Sequence, residues 1–166
     1  MITRLLAVAI PMVLCINSLL FAQNNSLPEI DQLNLKISMP AFEPPIIEVA
    51  SGFEIELVAA PPLVGYPMMA CFDDRGRLYV AESDGQNLTT KEEYLTQRPR
   101  FVRRLEDTDG DGRFDRSTIF ADQMTMPEGG LWHDGALYII SAPYLWRLED
   151  IDDDGVADRW QKILGY

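Results

Sequence analysis

The sequence predicts an all-β fold, a partial β-propeller of about two to two and a half four-stranded blades after a signal peptide and a Pro-rich leader. Three observations predict it. Two aspartate-rich loops stand 43 residues apart, D-T-D-G-D-G-R-F-D at Asp107–Asp115 and D-I-D-D-D-G-V-A-D at Asp150–Asp158, each entered by the phrase R-L-E-D. Two hairpin phrases, G-R-L-Y-V from Gly76 and G-A-L-Y-I from Gly135, precede the loops in the same order. No segment after residue 22 carries a sustained helical stripe. A period of about 40–45 residues with four short strands per unit marks propeller blades. The alternative is an ordinary antiparallel sheet with two similar loops.

Arg4 supplies a positive start, and the run that follows is apolar from Leu5 to Ala22 except for Asn17 and Ser18. A short positive start, an apolar stretch and a polar sequel read as a secretory signal over residues 1–22, with Ala22 before the cut. Leu20 suits the cut poorly, so an uncleaved membrane anchor is the alternative. The expected location is outside the cytoplasm: periplasm, cell surface or medium. Residues 23–50 read as a Pro-rich leader or linker, interrupted by Pro28, Pro40, Pro44 and Pro45, and becoming extended near Ile46–Val49.

The propeller segment is expected over residues 51–166. Phe53, Ile55 and Leu57 alternate with Glu54 and Glu56, the period of a half-buried strand. Pro61, Pro62 and Pro67 then break the chain. Met69–Phe72, a D-D-R-G turn at Asp73–Gly76 and Arg77–Glu82 make a hairpin. Leu131-Trp132, a turn through His133-Asp134-Gly135 and Ala136–Ile140 make its counterpart. From Gly76 to Asp107 is 31 residues and from Gly135 to Asp150 is 15, so the first unit carries about 16 extra residues, placed in the polar stretch Asp84–Arg100 and read as a loop. Short strands follow each aspartate loop, at Ser117–Ala121 and Trp160–Leu164.

The loops carry the chemistry. Asp107, Asp109 and Asp111 fall at positions 1, 3 and 5, Gly112 at 6, Arg113 at 7 with its carbonyl, and Asp115 at 9. Asp150, Asp152, Asp154, Gly155, Val156 and Asp158 repeat that set, with Asp153 in place of Gly110. Hard cations with six to eight oxygen ligands take such a spacing, so calcium is the expected structural cofactor. Position 12 is Thr118 or Gln161 rather than a bidentate glutamate, and the flanks read as strands. The loops are therefore staples rather than helix–loop–helix sensors, with affinity in the roughly 10⁻⁴–10⁻³ M range of extracellular modules. Solvated acidic turns are the alternative.

The net charge is −12, and loss of Arg4 with residues 1–22 takes it to −13. Such a charge disfavours nucleic acid as a partner. Cys71 is the one cysteine beyond residue 22, so no internal disulfide staples the mature chain. His133 is the single histidine and reads as a turn residue, leaving no base for a hydrolytic triad. Arg98, Arg100, Arg103 and Arg104 form a basic cluster that balances nearby acids or holds an anionic ligand. Glu82 is expected in a capping or exposed role, with reach into a central channel as the alternative. Trp132, Trp146, Trp160, Tyr79 and Tyr138 are expected in packing.

Gly52–Val64, Phe72–Glu82 and Arg104–Asp122 together resemble the N-terminal domain of membrane-bound dehydrogenases, a family of secreted bacterial proteins distantly similar to glucose/sorbosone dehydrogenases. The resemblance covers residues 52–166. It implies a β-propeller, oxidation of a sugar or alcohol, a quinone cofactor and, in longer members, a downstream c-type haem domain. It assigns no catalytic residue in this chain. The other readings are a non-catalytic propeller that binds carbohydrate or protein at the cell surface, and a truncated fragment without function.

Overall fold

The structure is a computed structural model and describes residues 3–8, 42–97 and 100–165. The expected cut site, Arg98 and most of the leader lie outside these residues. The described chain is all-β, with two four-stranded antiparallel sheets and one short helix.

The first sheet is a meander of β3 (Tyr66–Phe72), β4 (Leu78–Ser83), β5 (Arg100–Glu106) and β6 (Arg116–Met124). The second is β7 (Pro127–His133), β8 (Ala136–Ser141), β9 (Tyr144–Glu149) and β10 (Arg159–Leu164). Before them, β1 (Thr3–Val8) pairs in parallel with β2 (Phe53–Ala59). β1 lies inside the segment expected as an export signal. Residues 42–50 form no strand, and Ile46 is fully exposed.

Turn chemistry sets the hairpins. Asp73 accepts the amides of Arg75 and Arg77, both at 2.9 Å, and closes the D-D-R-G turn between β3 and β4. Asp134 and Gly135 both have positive φ, the two-residue turn whose twist suits a hairpin. Pro67 does not break the chain as expected. It sits inside β3, where the register shifts between Pro67 and Met69, and an edge strand tolerates a missing donor at such a bulge. The segment Asp84–Arg100 is not wholly loop. It carries α1 (Lys91–Thr96), started by a capping box in which Thr90 and Glu93 satisfy each other's amides. Arg100 stacks over Tyr94, 4.6 Å from the ring centre, and ties the helix to β5.

The layers follow from which strand faces are apolar. β4 is buried on both sides, as a strand in the middle layer must be. Leu78 and Val80 face one way, with Leu105 and Phe114, against Val58, Ala59 and Val64. Tyr79 and Ala81 face the other way, with Val102, Phe120 and Met124, against Leu137, Ile139 and Leu148 of the second sheet. Tyr79 stacks on Trp132 at 5.0 Å and meets Phe120 edge-on at 4.9 Å. β7 lies close on β3 because Gly130 has no side chain: a Cβ there would stand 2.7 Å from Met69 Cε.

The 43-residue repeat is visible in backbone contacts. The amide of Phe114 donates to the carbonyl of Val58 on β2, and the amide of Ala157 donates to the carbonyl of Phe120 on β6, both at 2.8 Å. β2 therefore stands to the first sheet as β6 stands to the second.

Candidate metal centres

Each aspartate loop is shaped by its own carboxylates accepting backbone amides. In the first, Asp107 accepts Gly110 at 2.7 Å and Gly112 at 2.9 Å, Asp109 accepts Asp111 at 3.2 Å, and Asp111 accepts Arg113 at 2.8 Å. In the second, Asp150 accepts Gly155 at 2.9 Å, Asp152 accepts Asp154 at 3.3 Å, and Asp154 accepts Val156 at 2.8 Å. The expected positions 1, 3, 5 and 6 are thus organised alike. Arg113 and Val156 enter these networks through their amides. The amide of Gly112, followed by those of Gly110 and Asp111, holds the Asp107 carboxyl below its usual range.

Four carboxylates are expected in each loop beside the carbonyl of Arg113 or Val156, and the structure gathers three of the four carboxylates in each. Asp107, Asp109 and Asp111 each bring an oxygen within 4.8 Å of the others, and so do Asp150, Asp152 and Asp158. Calcium–oxygen distances of about 2.3–2.6 Å match such a cluster. Asp115 stays out of the first group. Its two oxygens accept the Thr108 amide at 3.1 Å and the Thr108 hydroxyl at 2.7 Å. Ile151 replaces Thr108 in the second loop, so no hydroxyl competes at that position, and Asp158 accepts the Ile151 amide at 2.7 Å while an oxygen of it joins the cluster. Asp154 lies outside the second group, its Oδ1 engaged by Val156.

What lies beneath the loops separates them. Arg104 of β5 is buried and its Nη1 donates to Asp150 Oδ2 at 2.7 Å. Arg75 donates to Asp153 at 2.8 Å, and Arg77 pairs with both Asp153 and Asp73. The hydrogen bond from Arg77, then the charge of Arg77 and the contact with Arg75, hold the Asp153 carboxyl below its usual range. Gly155 lies against the guanidinium, where a Cβ would stand 2.9 Å from Arg104 Nη2. The second loop is therefore seated on the first sheet. Among the described residues, no guanidinium pairs with Asp107.

The basic cluster resolves into separate roles. Arg103 pairs with Glu82 at 2.9 Å and donates to Ser117 at 3.2 Å, while Arg104 takes Asp150 and Glu106. Glu82 is neither exposed nor a cap. It is 1% exposed and also accepts the Gly65 amide at 3.0 Å, so it is a buried tie between β4, β5 and the β2–β3 connection. His133 lies exposed at the end of β7, beside the turn.

A separate groove of about 510 Å³ opens between the sheets, lined by Tyr144, Trp146 and Trp160 with Asp122 and Gln123. The rings of Trp146 and Trp160 meet edge-on at 5.7 Å. Burial pushes the Tyr79 hydroxyl up to about 12.

No curated protein and no solved structure matches the chain. Residues 43–166 match the model of a domain of unknown function, DUF7133, and the chain belongs to that family.

Proposed function

We propose that the chain is a propeller segment of an exported protein of the membrane-bound dehydrogenase type, with calcium in the aspartate loops as structural staples. The observation that carries this reading is the contact made twice: Phe114 to Val58 and Ala157 to Phe120. A unit that leans on the outer strand of its predecessor through the same amide each time is built to be stacked again. Radial stacking of four-stranded sheets is the propeller plan. The two carboxylate clusters support the metal.

On this reading the residues of the loops hold geometry rather than perform chemistry, and no side chain here carries a catalytic step. Oxidation of a sugar or alcohol, with electrons passed to a quinone or haem, would belong to the larger assembly. Calcium at ten times its Kd should stabilise the chain by about 1.4 kcal/mol. Differential scanning fluorimetry in calcium and in chelator reads that shift, and identical melting at millimolar calcium removes the staple. Dye reduction by the full-length product supplied with quinone and a panel of sugars and alcohols tests the activity. A folded protein that reduces no dye removes the oxidoreductase.

One observation favours a second reading, a carbohydrate-binding module. Indole and phenol rings beside a carboxylate and an amide suit a sugar, and the inter-sheet groove presents that set in Tyr144, Trp146, Trp160, Asp122 and Gln123. Quenching of Trp fluorescence by saccharides checks it.

A further inference from the structure

Asp150 has a feature that the repeat alone does not explain. Its side chain is 3% exposed, and Oδ2 accepts both Arg104 and the Gly155 amide. Oδ1 is buried and accepts nothing. A buried carboxylate oxygen without a partner is costly. The counterpart, Asp107, has no such orphan: its Oδ1 accepts Gly110 and its Oδ2 accepts Gly112. At the position of Gly110 stands Asp153, also at positive φ, whose carboxylate turns to Arg75 and Arg77. No amide reaches Asp150 Oδ1. Asp152 and Asp158 each bring an oxygen into the same cluster.

We propose that the second loop is a calcium site coupled to sheet docking, with Asp150 as a bridging carboxylate. Oδ1 joins Asp152 and Asp158 on the cation while Oδ2 holds Arg104 of the first sheet. This rests on the calcium reading of the loops and adds which loop matters and what its occupancy controls. A cation on Oδ1 fixes the carboxylate in the orientation that receives the guanidinium. Calcium binding and sheet docking therefore stabilise each other, as linkage requires. The first loop, with both Asp107 oxygens satisfied internally and no guanidinium on that aspartate, binds calcium without affecting the interface.

Amide exchange of the full chain, read by NMR with and without calcium chloride, tests this. The reporter is the Ala157 amide, which crosses between the sheets to Phe120. Calcium at ten times its Kd should slow its exchange about tenfold. Asp152→Asn should abolish the slowing and leave the fold intact, because Asp152 is exposed and Asn still accepts the Asp154 amide. Asp109→Asn in the first loop should leave the slowing in place. The reverse pattern, with Asp109→Asn abolishing the effect and Asp152→Asn sparing it, overturns the proposal and leaves calcium stapling standing. Unchanged Ala157 exchange despite calcium binding seen by calorimetry does the same. Absence of any calcium binding by calorimetry overturns both.

Discussion

The two sheets are built on one sequence plan and end in different environments. The first is sandwiched between β2 and the second sheet, so β4 is buried on both faces. The second is covered on one face, and its other face presents Leu131, Ile140, Ile163 and Leu164 to solvent. Register makes the comparison residue by residue. Tyr79 corresponds to Tyr138, Ala81 to Ile140, Val102 to Leu145 and Phe120 to Ile163, and the β-bulge at Val102/Arg103 recurs at Lys162/Leu164. Arg104, under the second loop, corresponds to Arg147, which pairs with Glu149 and donates to the Tyr138 hydroxyl at 3.0 Å. The lesson is that the repeat sets strand, turn and loop, while neighbours set burial and charge partners.

The sharpest break between the sheets is expected at one repeat position. Phe120→Ala removes a fully buried ring and should cost about 3–5 kcal/mol by urea unfolding. Ile163→Ala, at the same position on the open sheet, should cost less than about 1 kcal/mol. Equal costs would mean that the free face is buried in solution. The position-6 glycines sharpen the contrast between the loops. Gly112 and Gly155 both have positive φ, so an alanine at either strains the backbone by roughly 1–2 kcal/mol. Only at Gly155 does the new Cβ also strike Arg104 and Thr118, adding about 1–3 kcal/mol. Thermal melts of the two variants should separate accordingly.

The last expected effect is alkaline. Burial raises the hydroxyl of Tyr79 to about 12 from the ordinary 10.0 of a tyrosine. Between these values the unfolded chain has lost the proton that the folded chain retains, so stability falls as pH rises through that window. Absorbance at 295 nm should show Tyr79 ionising later than the exposed tyrosines, and Tyr79→Phe should flatten the loss.

Much of the fold was legible because its signals are local. Alternation at Phe53–Leu57, the D-D-R-G turn and the Asp134-Gly135 turn each carry their geometry within a few residues. The helix α1 was equally local: Thr90 and Glu93 spell a capping box, hidden by the short apolar pattern that follows. Glu82 was misread because its partners, Gly65 and Arg103, lie 17 and 21 residues away. The seat of the second loop was not legible for the same reason. Arg104 and Asp150 are 46 residues apart, and Arg77 and Asp153 are 76 apart. The exclusion of Asp115 from its cluster turned on Thr108, whose hydroxyl competes for the carboxylate at a position the spacing rule leaves free.

The docking of the second loop on Arg104 is tested most directly by a double-mutant cycle, Arg104→Met and Asp150→Asn, measured by urea unfolding of the full chain. Arg104 is 1% and Asp150 3% exposed in their side chains, so breaking the pair from one side should cost about 3–5 kcal/mol. The double variant should recover part of that loss, giving a coupling of about 1–3 kcal/mol. Costs that simply add, within about 0.5 kcal/mol, would contradict a loop latched to the neighbouring sheet by this pair.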